Sequence, residues 1–311
     1  MPLLRQPLLL LSRLGAVRAA VSTLPGTSGL VARYVPGETT QDAADAAAAL
    51  MEDQMVVSLD FLGEDTTDEE QADATVRAYL DLLAELSRRN LATRSEVSVK
   101  LTAIGLALPG DGREIALDNA RRIALAARNA GSLVTIDMED HTWTDATLDV
   151  VTELRKDHPD LGMVLQAQLK RTEDDCRAFA HEGSRVRLCK GAYVGHESVA
   201  HVDRHAVDLA YVRCLRILMQ GAGHPMVATH DPRMIAIGQA MAAGLGRDRG
   251  SYEFQMLYGI RPEEQRRLVA RGETMRVYVP YGGEWYGYLM RRLAERPQNL
   301  ALFAKSLTSK K

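Results

Sequence analysis

Apolar and polar positions along the chain fall into two alternating rhythms. Short runs rich in Val, Ile, Leu and Met, each closed by polar residues or glycine, recur as "VVSLDFLG" (56–63), "EVSVKLTAIG" (96–105), "SLVTIDMED" (132–140) and "GMVLQAQLK" (162–170). They continue as "RVRLCKGAY" (185–193), "PMVATHD" (225–231), "YEFQMLYG" (252–259) and "MRVYVPYGG" (275–283). Their length and composition predict β-strands. Between them the spacing shifts to the 3.6-residue period of an amphipathic helix. "TTDEEQADATVRAYLDLLAELSRRN" opens on a capping-box spacing, Thr67 to Glu70. "HDPRMIAIGQAMAAG" and "IRPEEQRRLVARG" place proline in the first helical turn and glycine near the end. The segment 41–54, "QDAADAAAALMEDQ", predicts one further helix ahead of the first strand.

Strand and helix alternating eight times predict a parallel sheet with helical crossovers. Eight repeats suit a closed (β/α)8 barrel of the TIM type, with extra N-terminal helices over residues 1–54 and the barrel over 55–311. A doubly wound open sheet is the runner-up, separated from the barrel mainly by strand count.

The 311 residues are 46% hydrophobic but only 5% aromatic, so the core is built from Ala, Leu, Val, Ile and Met. A net charge of −3 with no basic stripe argues against nucleic acid as a partner. Three cysteines, Cys176, Cys189 and Cys214, without C-x-x-C pairing, argue for a reducing compartment and against a disulfide framework or structural zinc. Residues 1–33 hold four arginines and no acid, and the apolar run Leu8–Leu11 is far too short to span a bilayer. This stretch reads as an amphipathic helix lying on the domain or on a membrane surface, or else as a cleaved leader.

In a barrel of this kind, chemistry belongs at the C-terminal ends of the strands. The polar residues read at those ends are Lys100, Asp137, Gln166, Arg187, Lys190, Thr229, His230, Glu253 and Tyr278, and the final helix adds Tyr288, Arg291 and Arg292. A charge within a buried strand is costly unless it is paired or functional. Any one of these could be half of a structural ion pair, but their gathering at one rim points to a site. The excess of cations there anticipates an anionic ligand, and a planar guanidinium fork suits a carboxylate. Lys190–Gly191 lets backbone approach a phosphate closely. "THDP" leads into a helix N-terminus, where phosphate can also bind, although the sequence by itself favours reading His230 as a capped loop histidine.

Several motifs are missing from the sequence. There is no G-x-G-x-x-G after a strand, no G-x-x-x-x-G-K-[ST] and no G-x-S-x-G. "HESVAH" has one residue too many for a helical zinc motif, which turns His201 roughly 140° from His196. No metal is expected.

The blocks "SVKLTAIG", "TIDMED", "VLQAQLKR", "VRLCKGAY", "ATHDP", "EFQMLYG" and "YVPYGGEWYGYLMRRLAERPQN", in this order between about Tyr34 and Leu307, resemble proline dehydrogenase in its short bacterial monofunctional form. The resemblance implies a distorted (β/α)8 barrel holding FAD. It implies oxidation of L-proline to Δ1-pyrroline-5-carboxylate by hydride transfer from proline C5 to flavin N5, with electrons passed to a membrane quinone. Asp137 and Arg187 match the catalytic positions, Arg187 near flavin N5. Lys100, Arg291 and Arg292 match the clamp on the substrate carboxylate, Tyr288 and Leu257 match contacts to the ring, and Tyr278 supports Lys100. Met138, Gln166, Lys190, Gly191, Ala192, Tyr193, Thr229 and His230 match cofactor contacts. From its position and the resemblance, Glu64 in "FLGED" is expected to pair with Arg291 as a gate over the substrate. The product is expected to be released or handed to a separate pyrroline-5-carboxylate dehydrogenase, and the chain to work in the cytoplasm, at most peripherally on the inner membrane face. Competing readings are a Schiff-base aldolase built on Lys100 and a catalytically silent amino-acid sensor.

Overall fold

The computed structural model describes residues 27–63, 66–193 and 195–295. Eight parallel strands close into a barrel in sequence order: β1 (Val56–Phe61), β2 (Ser95–Val99), β3 (Leu133–Ile136), β4 (Gly162–Gln166), β5 (Arg185–Cys189), β6 (His224–Ala228), β7 (Glu253–Leu257) and β8 (Met275–Tyr281). Closure is made by β1 on β8, with Val57 opposite Val277 and Leu59 opposite Val279. Among the described residues, helices Thr27–Ala32 (α1) and Thr40–Glu52 (α2) precede the barrel. Crossovers are led by Glu69–Arg88 (α3), Gly112–Ala130 (α4), Thr144–Leu154 (α5), Thr172–Phe179 (α6), Arg204–Gln220 (α7), Pro232–Gly244 (α8) and Pro262–Ala270 (α9), and Trp285–Glu295 (α10) follows β8. The closed barrel, and not the open sheet, is the fold. The N-terminal stretch read as a surface helix or leader lies outside the described residues up to position 26.

Helix starts obey the capping rules with one shift. The N-cap of α3 is Asp68, whose carboxylate accepts from the Gln71 amide at 2.9 Å, one residue past the expected Thr67. Asp203 and Asp231 cap α7 and α8 in the same way. Helix α2 carries a full capping box between Thr39 and Asp42.

The strands are not apolar throughout. Val57, Leu59, Val97, Val99, Val186, Leu188, Val277 and Val279 point outward into the main core with Val76, Tyr79, Leu82 and Leu215 from the helices. The alternate positions, Ser58, Asp60, Glu96, Ser98, Arg187, Glu253, Gln255 and Arg276, are buried within the barrel. Period-two alternation in a fully covered parallel sheet therefore means a polar lumen, where such barrels ordinarily stack branched apolar side chains. Each expected strand also overran its paired length, because the polar residues at its end leave the ladder to build the rim.

A second apolar cluster closes the C-terminal face. Tyr34 and Val35 pack with Leu62, Ile260, Trp285, Tyr286, Tyr288, Leu289 and Met290. Trp285 Nε1 donates to Glu38 at 2.8 Å. Gly259, at φ +70°, lies so near the Arg33 carbonyl that a Cβ there would come within 1.7 Å of it. The aromatic residues of the terminal segment thus seat α10 against the chain entering the barrel, and this fixes where Tyr288, Arg291 and Arg292 stand.

Candidate active site

A cavity of about 570 Å³ opens at the C-terminal ends of the strands. Lys100, Asp137, Met138, Arg187, Lys190, Gly191, Ala192, Tyr193, Thr229, His230, Leu257, Tyr278, Tyr288, Arg291 and Arg292 all line it. Gln166 does not: it is buried behind the wall, and its amide donates to the carbonyls of Met138 (3.2 Å) and Glu139 (2.7 Å), bracing the loop after β3. Glu64 lies outside the described residues. Glu253, read at a strand end, opens β7 instead and sits deep in the lumen, held by Arg276 at 2.7 and 3.1 Å. A polar residue at the start of a strand and one at its end look alike in sequence.

Asp137 leaves β3 and becomes the hub. Its Oδ1 accepts from Ser98 Oγ at 2.7 Å and from Arg187 at 2.6 Å; its Oδ2 accepts from Tyr278 Oη at 2.8 Å, with Lys100 Nζ at 4.0 Å. Both oxygens are thus engaged, so Asp137 orients its neighbours. Burial, with Asp137 and Asp60 nearby, pushes the Tyr278 phenol well above its ordinary value, and it stays a neutral donor. Its ring lies 5.4 Å from the Arg187 guanidinium.

Asp60 escaped the sequence reading. It is 1% exposed, and both its oxygens accept from Lys100 Nζ at 2.7 Å. Burial raises its carboxyl pKa, Lys100 opposes that, and Asp137 adds to the rise, so it stands above the ordinary range. The signal was present: an acid between Leu59 and Phe61 meets the same test that singled out Lys100 between Val99 and Leu101. An ion-paired ammonium also lacks the neutral lone pair a Schiff-base nucleophile needs.

The opposite wall is built by β5 and β6. Lys190 Nζ lies against Asp208 and 2.9 Å from Asp231, and Asp231 caps α8 through the Arg233 amide at 3.0 Å. Arg233 foremost, with Lys190, holds the Asp231 carboxyl well below the usual range. Gly191 has φ +107°, and a Cβ there would come 2.4 Å from Gln168, whose amide holds the Tyr193 carbonyl at 2.8 Å. His230 Nε2 accepts from the Leu257 amide at 3.0 Å, which leaves the ring proton on Nδ1.

Two observations bear on FAD. Arg187 Nε–H is buried with no partner among the described residues. Gly191 also lines the cavity beside Lys190 and near Asp231, the N-cap of α8. An aromatic ring system against Arg187 and a diphosphate near Lys190 match this donor set.

A closed (β/α)8 barrel with a cationic, tyrosine-walled cavity at its C-terminal face has the architecture of a TIM-barrel enzyme. The family model described as "Proline dehydrogenase" matches residues 43–303. Proline dehydrogenase 1 of Bacillus subtilis (strain 168) is 36% identical over 278 residues, covering 89% of this chain and 90% of the relative. Proline dehydrogenase 2 of the same strain is 39% identical over 254 residues, 82% of each chain. The crystal structure of proline utilization A (PutA) from Bdellovibrio bacteriovorus, inactivated by N-propargylglycine, superimposes with a TM-score of 0.79 at 25% identity. It is covered over 86% of this chain and 33% of that one, so the chain spans about a third of that larger protein. The chain belongs to the proline dehydrogenase family, and it is an oxidoreductase.

Proposed function

We propose that this chain binds FAD in the rim cavity and oxidises L-proline to Δ1-pyrroline-5-carboxylate, with the electrons passing on to a membrane quinone. The observation that carries the reading is the single cavity shared by the cations Lys100, Arg291 and Arg292, the Tyr288 and Leu257 side chains, and the Arg187–Gly191 wall. The substrate carboxylate is held by Arg291 and Arg292 with help from the Lys100 ammonium, anchoring the ring by an unreactive group. Tyr288, with the Arg292 guanidinium 5.2 Å from its ring, and Leu257 wall the pyrrolidine. Asp137 and Tyr278 keep Lys100 and Arg187 in register, and the fixed geometry lowers the entropic part of the barrier. Met138, Lys190, Gly191, Ala192, Tyr193, Thr229 and His230 would hold the cofactor, with Gln166 bracing the loop behind Met138. FAD, when bound, supplies the two-electron acceptor for oxidation of the C5–N bond. Arg187 stabilises negative charge beside it.

Delivery to a quinone would bring the chain to the inner face of a membrane as a peripheral protein. No helix among the described residues is long and apolar enough to cross one. The pyrroline product would pass to a separate dehydrogenase.

An anaerobic visible spectrum tests the reading. Yellow protein whose flavin bands bleach with L-proline but not with D-proline, and recover with a quinone analogue, supports it. Flavin bands indifferent to L-proline, or colourless protein that FAD does not reconstitute, would overturn it.

A further inference from the structure

Beneath the cavity, the barrel lumen holds charges that the substrate and cofactor contacts do not use. Arg187 has five N–H donors. The two on Nη1 go to Asp137 Oδ1 (2.6 Å) and Ser98 Oγ (2.8 Å), at the level of the cavity. The two on Nη2 go deeper, to Glu96 Oε1 (2.6 Å) and Ser58 Oγ (3.1 Å). Glu96 is fully buried and lies on β2, across the lumen from Arg187 on β5. Its other oxygen accepts from Arg185 at 2.8 Å, and Arg276 Nε stands 3.8 Å away. Arg276 in turn is held by Glu253. Burial alone would raise the Glu96 carboxyl, but Arg276, Arg187 and Arg185 outweigh it and keep it ionised.

A planar guanidinium anchored at one end can swing about that anchor; anchored at both terminal nitrogens by opposing carboxylates, it cannot. We propose that Glu96 is a positioning residue for the oxidation, which fixes the Arg187 guanidinium from below and so holds it in place against the cavity. Glu96 touches neither substrate nor cofactor and acts only through Arg187. The proposal rests on the reading of Arg187 as the flavin's neighbour.

The midpoint potential of the bound flavin tests it, because two explanations predict opposite signs. Deleting a nearby negative charge favours the more negative reduced flavin and raises the potential. Loosening Arg187 withdraws a cationic donor from the reduced flavin and lowers it. Glu96→Gln is therefore expected to lower the potential even though it removes an anion. FAD content should stay near that of the parent chain and the KM for L-proline within about twofold, while kcat falls by about tenfold, the scale of coupling between groups in direct contact. Ser58→Ala removes the companion bond on the same nitrogen without changing charge, and is expected to lower the potential and kcat by less. A raised or unchanged potential in Glu96→Gln overturns the proposal. If that variant does not fold, an unchanged potential in Ser58→Ala overturns it alone. Failure of the functional reading has a separate signature. The parent chain would then keep its flavin without bleaching on L-proline, and the sign of the two potential shifts would still judge Glu96. A parent chain that takes up no FAD overturns both.

Discussion

Lys100→Met isolates the energetics of the rim. In the folded chain, Lys100 Nζ is the 2.7 Å partner of both Asp60 oxygens and lies 4.0 Å from Asp137. Methionine keeps the stem and removes the charge, leaving the Asp60 carboxylate, 1% exposed, without its cation. Orphaning a buried charge costs about 3–5 kcal/mol. At about 2–4 °C per kcal/mol for a large domain, the melting temperature is expected to fall by roughly 10 °C near pH 8. Without Lys100, the causes left on Asp60 are burial and Asp137, and both raise its carboxyl further above the ordinary value. A carboxyl whose folded pKa lies above its unfolded one keeps its full stability below the unfolded value and loses it as pH rises through the folded value. Lys100→Met should therefore be more stable at pH 5 than at pH 8, by more than any such difference in the parent chain. Asp60→Asn added to it removes the orphan charge and should restore most of the loss. Thermal melts read by circular dichroism across this pH range, on parent, both singles and the double, decide the matter. A pH-independent loss in Lys100→Met, or a double variant whose loss equals the sum of the singles, would refute the reasoning.

Gly191→Ala forces φ +107° on a residue with a Cβ and displaces Gln168 from the Tyr193 carbonyl. The strain of about 2 kcal/mol should weaken FAD retention roughly thirtyfold, measured by fluorescence titration of released flavin. Cys189 lines the cavity, and burial pushes its thiol up to about 11. The thiolate fraction at pH 8 is then about 10⁻³, so iodoacetamide should leave Cys189 unmodified in the folded chain and alkylate it after denaturation, read by mass spectrometry. Asp231→Asn removes a carboxyl held below its unfolded value, whose stabilisation is present above that value and lost as pH falls through the folded one. Arg233 is 65% exposed, so solvent screens part of the pairing, and a loss of about 1 kcal/mol at pH 7 is expected, shrinking below pH 4 in urea titrations.

Much of this protein was legible in one dimension. Runs of Val, Leu and Met beginning at Val56, Glu96 and Met275 marked strands to within a residue of their starts, because local propensity and period are written in neighbouring side chains. Eight such runs were enough to choose a barrel, and the cations Lys100, Arg187, Arg291 and Arg292, read at one rim, share one cavity. Other features were misplaced by the same locality. Glu253 looked like a rim residue, since sequence gives a residue's strand but not its height in the barrel. Asp60 and Glu96 were passed over, since each takes its meaning from a partner on another strand: Lys100 for Asp60, and Arg187, 91 positions away, for Glu96. Local patterning determined the elements, their order and the charge of the site. Only closure of β8 onto β1, which brings the inward faces of distant strands around one lumen, decided which charges pair and which groups line the cavity, because that pairing depends on distances across the barrel that no local rule contains.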